Sequence, residues 1–198
     1  MVTDVQGVER LRERDAQAFR SLIDRLQQPI TGYLHRLVGD REVALDLAQD
    51  TFVQVYKEID KTSGELALDA WIYRIATNYG LRYLNRKRLR QFVQLECREN
   101  FDESLVIAGP EDQTETRILI EQALGTMKPE DAAVLQLHYG NGFTYEEIGQ
   151  VMEMSSEAVR KRVARSVEKF RKVYGKKIPS VRVQKYENSI NVTQKGLK

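Results

Sequence analysis

Apolar residues recur at helical spacing along most of the chain. Ala18, Leu22, Ile23 and Leu26 fall on one helical face, and Ile30, Tyr33, Leu34 and Leu37 fall on another run of it. Pro29 lies between the two runs. It lacks an N–H, so it is expected to kink or divide the helix. Gly39-Asp40 supplies a stop and a new start. Val43, Leu47, Phe52, Val55, Tyr56 and Ile59 predict the next helix, and the Lys-Thr-Ser-Gly-Glu stretch at 61–65 predicts a loop. Asp69 is placed to cap a helix carrying Trp71, Ile72, Ile75, Ala76, Tyr79 and Tyr83. Periodicity fails over 96–115, which contains Gly109-Pro110 and reads as a linker, with a weak helical turn around 105–107. It resumes at Ile118, Leu119, Ala123 and Leu124. Pro129 then suits the first turn of a helix with Ala132, Leu135 and Tyr139, which Gly140-Asn141-Gly142 ends.

The next segment predicts a helix-turn-helix. Thr144 and Glu147 have the spacing of a capping box, and Ile148, Val151 and Met152 form the buried side of a short helix. A turn at Glu153-Met154 leads to Ser155-Ser156, either of which suits a second N-cap. Val159, Val163, Val167 and Phe170 then make one apolar stripe. The opposite face carries Ser156, Glu157, Arg160, Lys161 and Arg165. Such a helix can anchor by its apolar side and present polar side chains to base edges, with further cations on phosphates. A plain helical bundle with an amphipathic last helix has the same pattern. Met127, Met152 and Met154 suit core packing better than a binding surface.

Net charge is only +2, but it is blocked along the chain. Between 74 and 95 the charged residues are Arg74, Arg82, Arg86, Lys87, Arg88 and Arg90, with no acid. Between 96 and 121 acids dominate, facing only Arg98 and Arg117. Between 160 and 177 the sign inverts again, with Glu168 the only acid. Two basic blocks around an acidic stretch predict two polyanion-contacting modules on a linker. The single Cys97 allows no intrachain disulfide and fits a reducing compartment. With only His35 and His138, a histidine metal or catalytic cluster is not expected. No stretch approaches the ~20 apolar residues of a membrane span, and the N-terminus lacks a signal-peptide core. These features predict a cytoplasmic protein without membrane insertion, metal or cofactor.

Two further clusters share helix faces. Asp46, Gln49 and Asp50 stand at i, i+3 and i+4, an acid-amide-acid face suited to a basic partner surface. Asn78, Arg82 and Asn85, with Arg86 beside them, make a second. Asn can pair with an adenine edge and Arg with guanine or phosphate. Trp71 suits core packing more readily than the border of an unstacked base.

The segments carrying these clusters resemble a known family. Residues 40–52, DREVALDLAQDTF, resemble the polymerase-binding segment of region 2 in extracytoplasmic-function sigma factors, matching at Asp40, Ala44, Asp46, Leu47, Gln49, Asp50, Thr51 and Phe52. Leu45 departs from the pattern, where an acid is common. Residues 71–78, WIYRIATN, resemble the segment that melts and reads the −10 element, through Trp71, Ile72, Ile75, Ala76 and Asn78. Glu146-Glu147-Ile148 and residues 158–162, AVRKR, resemble region 4, which reads the −35 element. Gly149 replaces the usual Ala, and Met127-Lys128-Pro129 alters the usual Leu-Pro entry.

The resemblance covers about residues 10–175 and implies an alternative sigma factor. Core RNA polymerase would bind through Asp46, Gln49 and Asp50. Asn78, Arg82, Asn85 and Arg86 would contact the −10 element, including its melted non-template strand. Ser156, Arg160, Lys161 and Arg165 would contact the −35 duplex. The loop at 61–68 would cup a flipped base. An anti-sigma protein is a further partner the resemblance allows.

The expected fold is all-α, two small helical domains on a flexible acidic linker. Residues 1–95 form a region 2-like domain, 96–115 the linker, 116–177 a region 4-like helix-turn-helix domain and 178–198 a basic tail. The tail reads either as a disordered extension or as a small hairpin docked on a surface. The main alternative is a dimeric helix-turn-helix regulator that binds a palindrome without polymerase. A helical adaptor would need neither basic face. Enzymatic function is not expected, because no phosphate-binding Gly loop, nucleophile triad or metal cluster occurs.

Overall fold

The computed structural model describes residues 5–62, 67–95 and 112–177. Every regular element among them is helical: α1 (Val5–Arg12), α2 (Ala16–Val38), α3 (Arg41–Glu58), a 3₁₀ turn (Ile59–Lys61), α4 (Leu68–Leu95), α5 (Asp112–Gly125), α6 (Pro129–Leu135), a π turn (Gln136–Gly140), α7 (Tyr145–Met152) and α8 (Ser156–Lys177). The fold is all-α, as the periodicity predicts. None of these helices is long and apolar enough to cross a membrane. The 105–107 turn and the 178–198 tail lie outside the described residues.

The first set, α1–α4, packs around Ile30, Tyr33, Leu34, Val55, Ile59 and Ile72, all buried. Asp15 starts α2 by accepting from the Gln17 and Ala18 amides at 2.8 and 2.9 Å. Gly39 ends it in the left-handed conformation, φ +77°, donating to the His35 carbonyl. Pro29 neither divides nor ends this 23-residue helix. Its ring is on the exposed side, while Leu26 and Ile30 on either side of it are buried. Water can satisfy the carbonyl that loses its partner there, and packing of the opposite face holds the helix through. Gly80 lets α4 cross α2 closely: a Cβ there would lie 2.8 Å from the Leu37 side chain.

Two further expectations needed correction. Helix α1 lies ahead of the first expected helix, and Val8 and Leu11 bury its inner face. Asp69 is not a cap. It sits inside the first turn of α4 and binds the Arg25 guanidinium with two 2.8 Å bonds, tying α4 to α2. Ala67 occupies the cap position, accepting from the Trp71 amide at 2.9 Å.

The second set, α5–α8, contains the helix-turn-helix. The capping box at Thr144 and Glu147 is present, and Ser155 caps α8 by accepting from the Ala158 amide at 3.3 Å. The turn between α7 and α8 places Glu153 in the left-handed region, φ +54°. Gly149 faces that turn: a Cβ would lie 2.6 Å from the Met154 carbonyl oxygen. Gly and the family's Ala are therefore not equivalent at this position. The two sets pack directly against each other, with Tyr73 of α4 edge-on to Phe143 at 4.8 Å.

Candidate functional site

Three exposed clusters stand on this framework. On α3, the Asp40 carboxylate accepts from the Glu42 and Val43 amides and sets the phase of the helix. Ala44, Ala48, Thr51, Phe52 and Val55 turn inward. Asp46, Gln49 and Asp50 turn outward, all exposed. Among the described residues none of the three is hydrogen-bonded or paired with a cation through its side chain. Sequence reasoning missed Val53, which is 51% exposed on this same face, four residues from Gln49 and three from Asp50. Leu45, 38% exposed, borders it. The available signal was the Phe52-Val53 pair, since adjacent helical residues cannot share one buried face.

On α4, Ile72, Ile75 and Ala76 are buried and hold the helix against α2 and α3. Trp71 is half-buried against the same core. Asn78, Arg82, Asn85 and Arg86 are all exposed. Arg82 and Arg86 also line an open groove of about 490 Å³ between α4 and α3, together with Tyr79, Tyr83, Leu47 and Asp50. Lys87 and Arg90 extend its basic wall. The structure thus brings the α4 cations beside one acid of the α3 face. Tyr79 and Tyr83, which keep the helical spacing of Trp71, Ile72, Ile75 and Ala76, are half-buried against the core and also line the groove.

On α8, Val159, Val163 and Ser166 face inward, and Ser156, Arg160, Lys161 and Arg165 are exposed. Glu157 organises two of them. It accepts from Arg160 at 3.0 and 2.9 Å, and Lys161 lies 3.3 Å away. The Arg160 and Lys161 hydrogen bonds hold the Glu157 carboxyl below its ordinary range, and Glu157 in turn raises Arg160. Arg165 donates to the Lys161 carbonyl at 3.3 Å. Two cations of the same block turn elsewhere. Arg162 and Lys169 both bind Asp131 of α6, at 3.0 and 2.7 Å. Burial pushes the Asp131 carboxyl up, but the Lys169 and Arg162 bonds outweigh it and hold it below the usual range. No hydrogen bond or ion pair among the described residues links the exposed α8 group to the α3 or α4 group. The described residues contain no grouping of His, Cys, Asp and Glu suited to a metal ion.

A helical unit with acidic and basic faces, followed by a helix-turn-helix, is the architecture of the sigma-70 family. The sequence matches the family model for sigma-70 region 2 over residues 22–90 and that for sigma-70 region 4 over 117–170. It is 31% identical over 176 residues to the ECF RNA polymerase sigma-E factor of Haemophilus influenzae, covering 84% of this chain and 93% of that protein. It is 32% identical over 174 residues to the RNA polymerase sigma-H factor of Pseudomonas aeruginosa, covering 83% and 90%. The fold is similar to that of CnrH in complex with the cytosolic domain of CnrY, with TM-score 0.62, 21% identity and coverage of 83% and 92%. The sigma factor RpoE in complex with the anti-sigma factor NepR from Bartonella quintana gives 0.61 at 20% identity, covering 78% and 95%. The chain belongs to the extracytoplasmic-function sigma factors of the sigma-70 family. It is an alternative sigma factor, a subunit that joins core RNA polymerase to direct transcription initiation.

Proposed function

We propose the following division of labour. Residues 1–95 form the unit that docks polymerase and engages the −10 element. Residues 96–115, into whose end α5 reaches from Asp112, join it to the −35 unit at 116–177, and 178–198 form an appended tail. Asp46, Gln49 and Asp50 bind the polymerase, with Val53 giving the polar face an apolar centre. Asn78, Arg82, Asn85 and Arg86 bind −10 DNA, their amides reading base edges of the opened strand and their cations holding phosphate. Ser156, Arg160, Lys161 and Arg165 bind the −35 duplex from the N-terminal half of α8, which a recognition helix inserts in the major groove. The protein acts in the cytoplasm without a catalytic site of its own. An anti-sigma protein is among its partners, as it is for the Bartonella RpoE above.

One observation carries this reading: the polymerase and DNA candidates are exposed, with opposite charge on α3 and on α4 and α8. The dimeric-regulator alternative has no observation in its favour. The test is run-off transcription with bacterial core polymerase and a promoter library. Asp46→Lys with Asp50→Lys should abolish core binding in a pull-down and leave the circular dichroism melt unchanged, because both side chains are exposed. Full transcription by this variant, or its unfolding, would overturn the assignment of α3.

A further inference from the structure

Helix α4 carries one stripe of side chains that changes character along its length. Tyr79, Arg82, Tyr83, Arg86, Lys87 and Arg90 are spaced by threes and fours, so they share a face. They form one wall of the groove against α3, and Leu47 and Asp50 come from the other wall. The stripe begins aromatic and ends wholly cationic. Arg90 stands eleven residues after Tyr79, ~16 Å along the axis at a rise of 1.5 Å per residue.

The aromatic end is held in place. Tyr79 and Tyr83 pack half-buried against the core, and the Tyr79 hydroxyl donates to Gln54 Oε1 of α3 at 3.4 Å. Gln54 Nε2 in turn donates to Glu58 at 2.6 Å. A ring fixed by its own fold offers a stacking face at little ordering cost. The cationic end is not neutralised from within: among the described residues, no side chain of Arg82, Arg86, Lys87 or Arg90 is hydrogen-bonded or ion-paired. Arg82, Arg86 and Arg90 stand at i, i+4 and i+8, where like charges repel. An anion with several charges placed among them relieves that repulsion.

An anion alone leaves the two rings and Asp50 without a role. The groove encloses about 490 Å³, within the ~300–1,000 Å³ of small-molecule sites. Asp50 stands one turn before Gln54 and Tyr83 one turn after Tyr79, and both line the groove. A carboxylate beside a stacked base selects guanine, whose N1–H and N2 amino group donate from one edge. Adenine has no such pair of donors. Arg82, between the two tyrosines in sequence, suits the O6 and N7 acceptors of the same base. Arg86, Lys87 and Arg90 are then left for phosphates. A continuous DNA strand fits this wall less well, because its phosphates would have to pass the Asp50 carboxylate.

We propose that the groove between α3 and α4 binds a guanine nucleotide carrying two or more phosphates. The base lies on Tyr79 and Tyr83 with its edge on Asp50, and the phosphates lie on Arg86, Lys87 and Arg90. Occupancy withholds Asp50 from polymerase and Arg82 and Arg86 from DNA, so the nucleotide lowers initiation. This regulatory half rests on the reading that α3 docks polymerase and α4 engages the −10 element. Binding itself does not.

The test uses the full chain. Isothermal titration of the free protein with GDP, ADP and pyrophosphate separates the base from the phosphates. GDP should bind roughly tenfold more tightly than ADP, because only guanine matches Asp50 and Arg82. Tyr83→Leu should weaken GDP about tenfold, the scale of one base–aromatic stack, and leave pyrophosphate unchanged. Lys87→Gln should weaken GDP and pyrophosphate alike. Lys87 is exposed, so this variant reports on the site even where Tyr83→Leu loosens the packing, which circular dichroism would show. GDP, which polymerase does not incorporate, should then reduce run-off transcription with the wild-type protein and not with Tyr83→Leu. Equal affinity for GDP, ADP and pyrophosphate, no GDP binding, or GDP binding untouched by both substitutions would overturn the site. Selective GDP binding without any effect on run-off would overturn the regulation. Absence of transcription without GDP would instead overturn the sigma reading of α3 and α4, and the titrations would still decide the site.

Discussion

Helices α4 and α8 are the long basic helices of the two sets, yet they use their cations differently. On α4, Arg82, Arg86, Lys87 and Arg90 project from the groove wall, and none is ion-paired among the described residues. Arg74 and Arg88 at its other side serve the contact with the second set. On α8, Arg162 and Lys169 are consumed by the buried Asp131, and Arg160 and Lys161 share Glu157. Both helices read as basic blocks in sequence. Only part of each block is available to a polyanion, and the part that is not holds the fold together. A charge count along a helix therefore overstates its electrostatic footprint wherever an acid on another element is buried beneath it.

The largest effect that tests this contrast falls on Asp131. Asp131→Asn should destabilise the second set by about 2–3 kcal/mol, less than the ~3–5 kcal/mol that breaking a fully buried pair typically costs, because Lys169 is half-exposed. Urea unfolding would measure it. The sign with pH follows from the depressed carboxyl: its stabilisation is present above the unfolded-state value near ~3.9 and fades as pH falls through the lower folded value. Asp131→Asn should lose that acid-side dependence. Equal stability of wild type and variant would mean that Arg162 and Lys169 are free for DNA after all, and the contrast would fail.

Next is Gly149→Ala, which installs the residue the family commonly has. Its Cβ would meet the Met154 carbonyl, a backbone atom that cannot swing away. A loss of about 1–2 kcal/mol is expected from such overpacking, read as a lower melting temperature. An unchanged melt would show that the turn between α7 and α8 relaxes readily.

Arg160→Ala sharpens the contrast within α8. A side chain that reads a base should cost roughly tenfold in promoter use at one position of the −35 element, and flatten the preference there. Profiling the promoter library with wild type and variant would show it. A loss shared evenly by all sequences would make Arg160 a phosphate contact instead.

The smallest effect compares single cations. Arg90→Ala on α4 should lower the slope of log affinity against log salt by about one unit, roughly a twofold change for each doubling of salt. Lys169→Ala on α8 should leave the slope unchanged and reduce stability instead. Equal slopes for the two variants would erase the difference between the helices.

Much of this molecule is legible in local sequence. Thr144 with Glu147 and Ser155 before Ser156 start their helices as capping chemistry requires, because a cap is satisfied by backbone groups two or three residues away. The spacing of Asp46, Gln49 and Asp50, and that of Arg160 and Lys161, put them on exposed faces opposite apolar neighbours that seek the core. Other features were hidden. Asp69 has the residue type and place of a cap but answers to Arg25, 44 residues away. Pro29 has the type of a helix breaker, but the packing of Leu26 and Ile30 carries the helix past it.

The sequence alone thus determined an all-α chain, its helix-turn-helix and the exposed sides of its three charged clusters, because periodicity and capping act over a few residues. Tertiary structure decided which cations remain available and how the two sets meet. Arg162 turns to Asp131 and Asn141 to Tyr73, partners 31 and 68 residues apart that only folding brings within hydrogen-bond distance. No local pattern announces such pairs, since each side chain, taken with its own neighbours, fits equally well on a solvated surface.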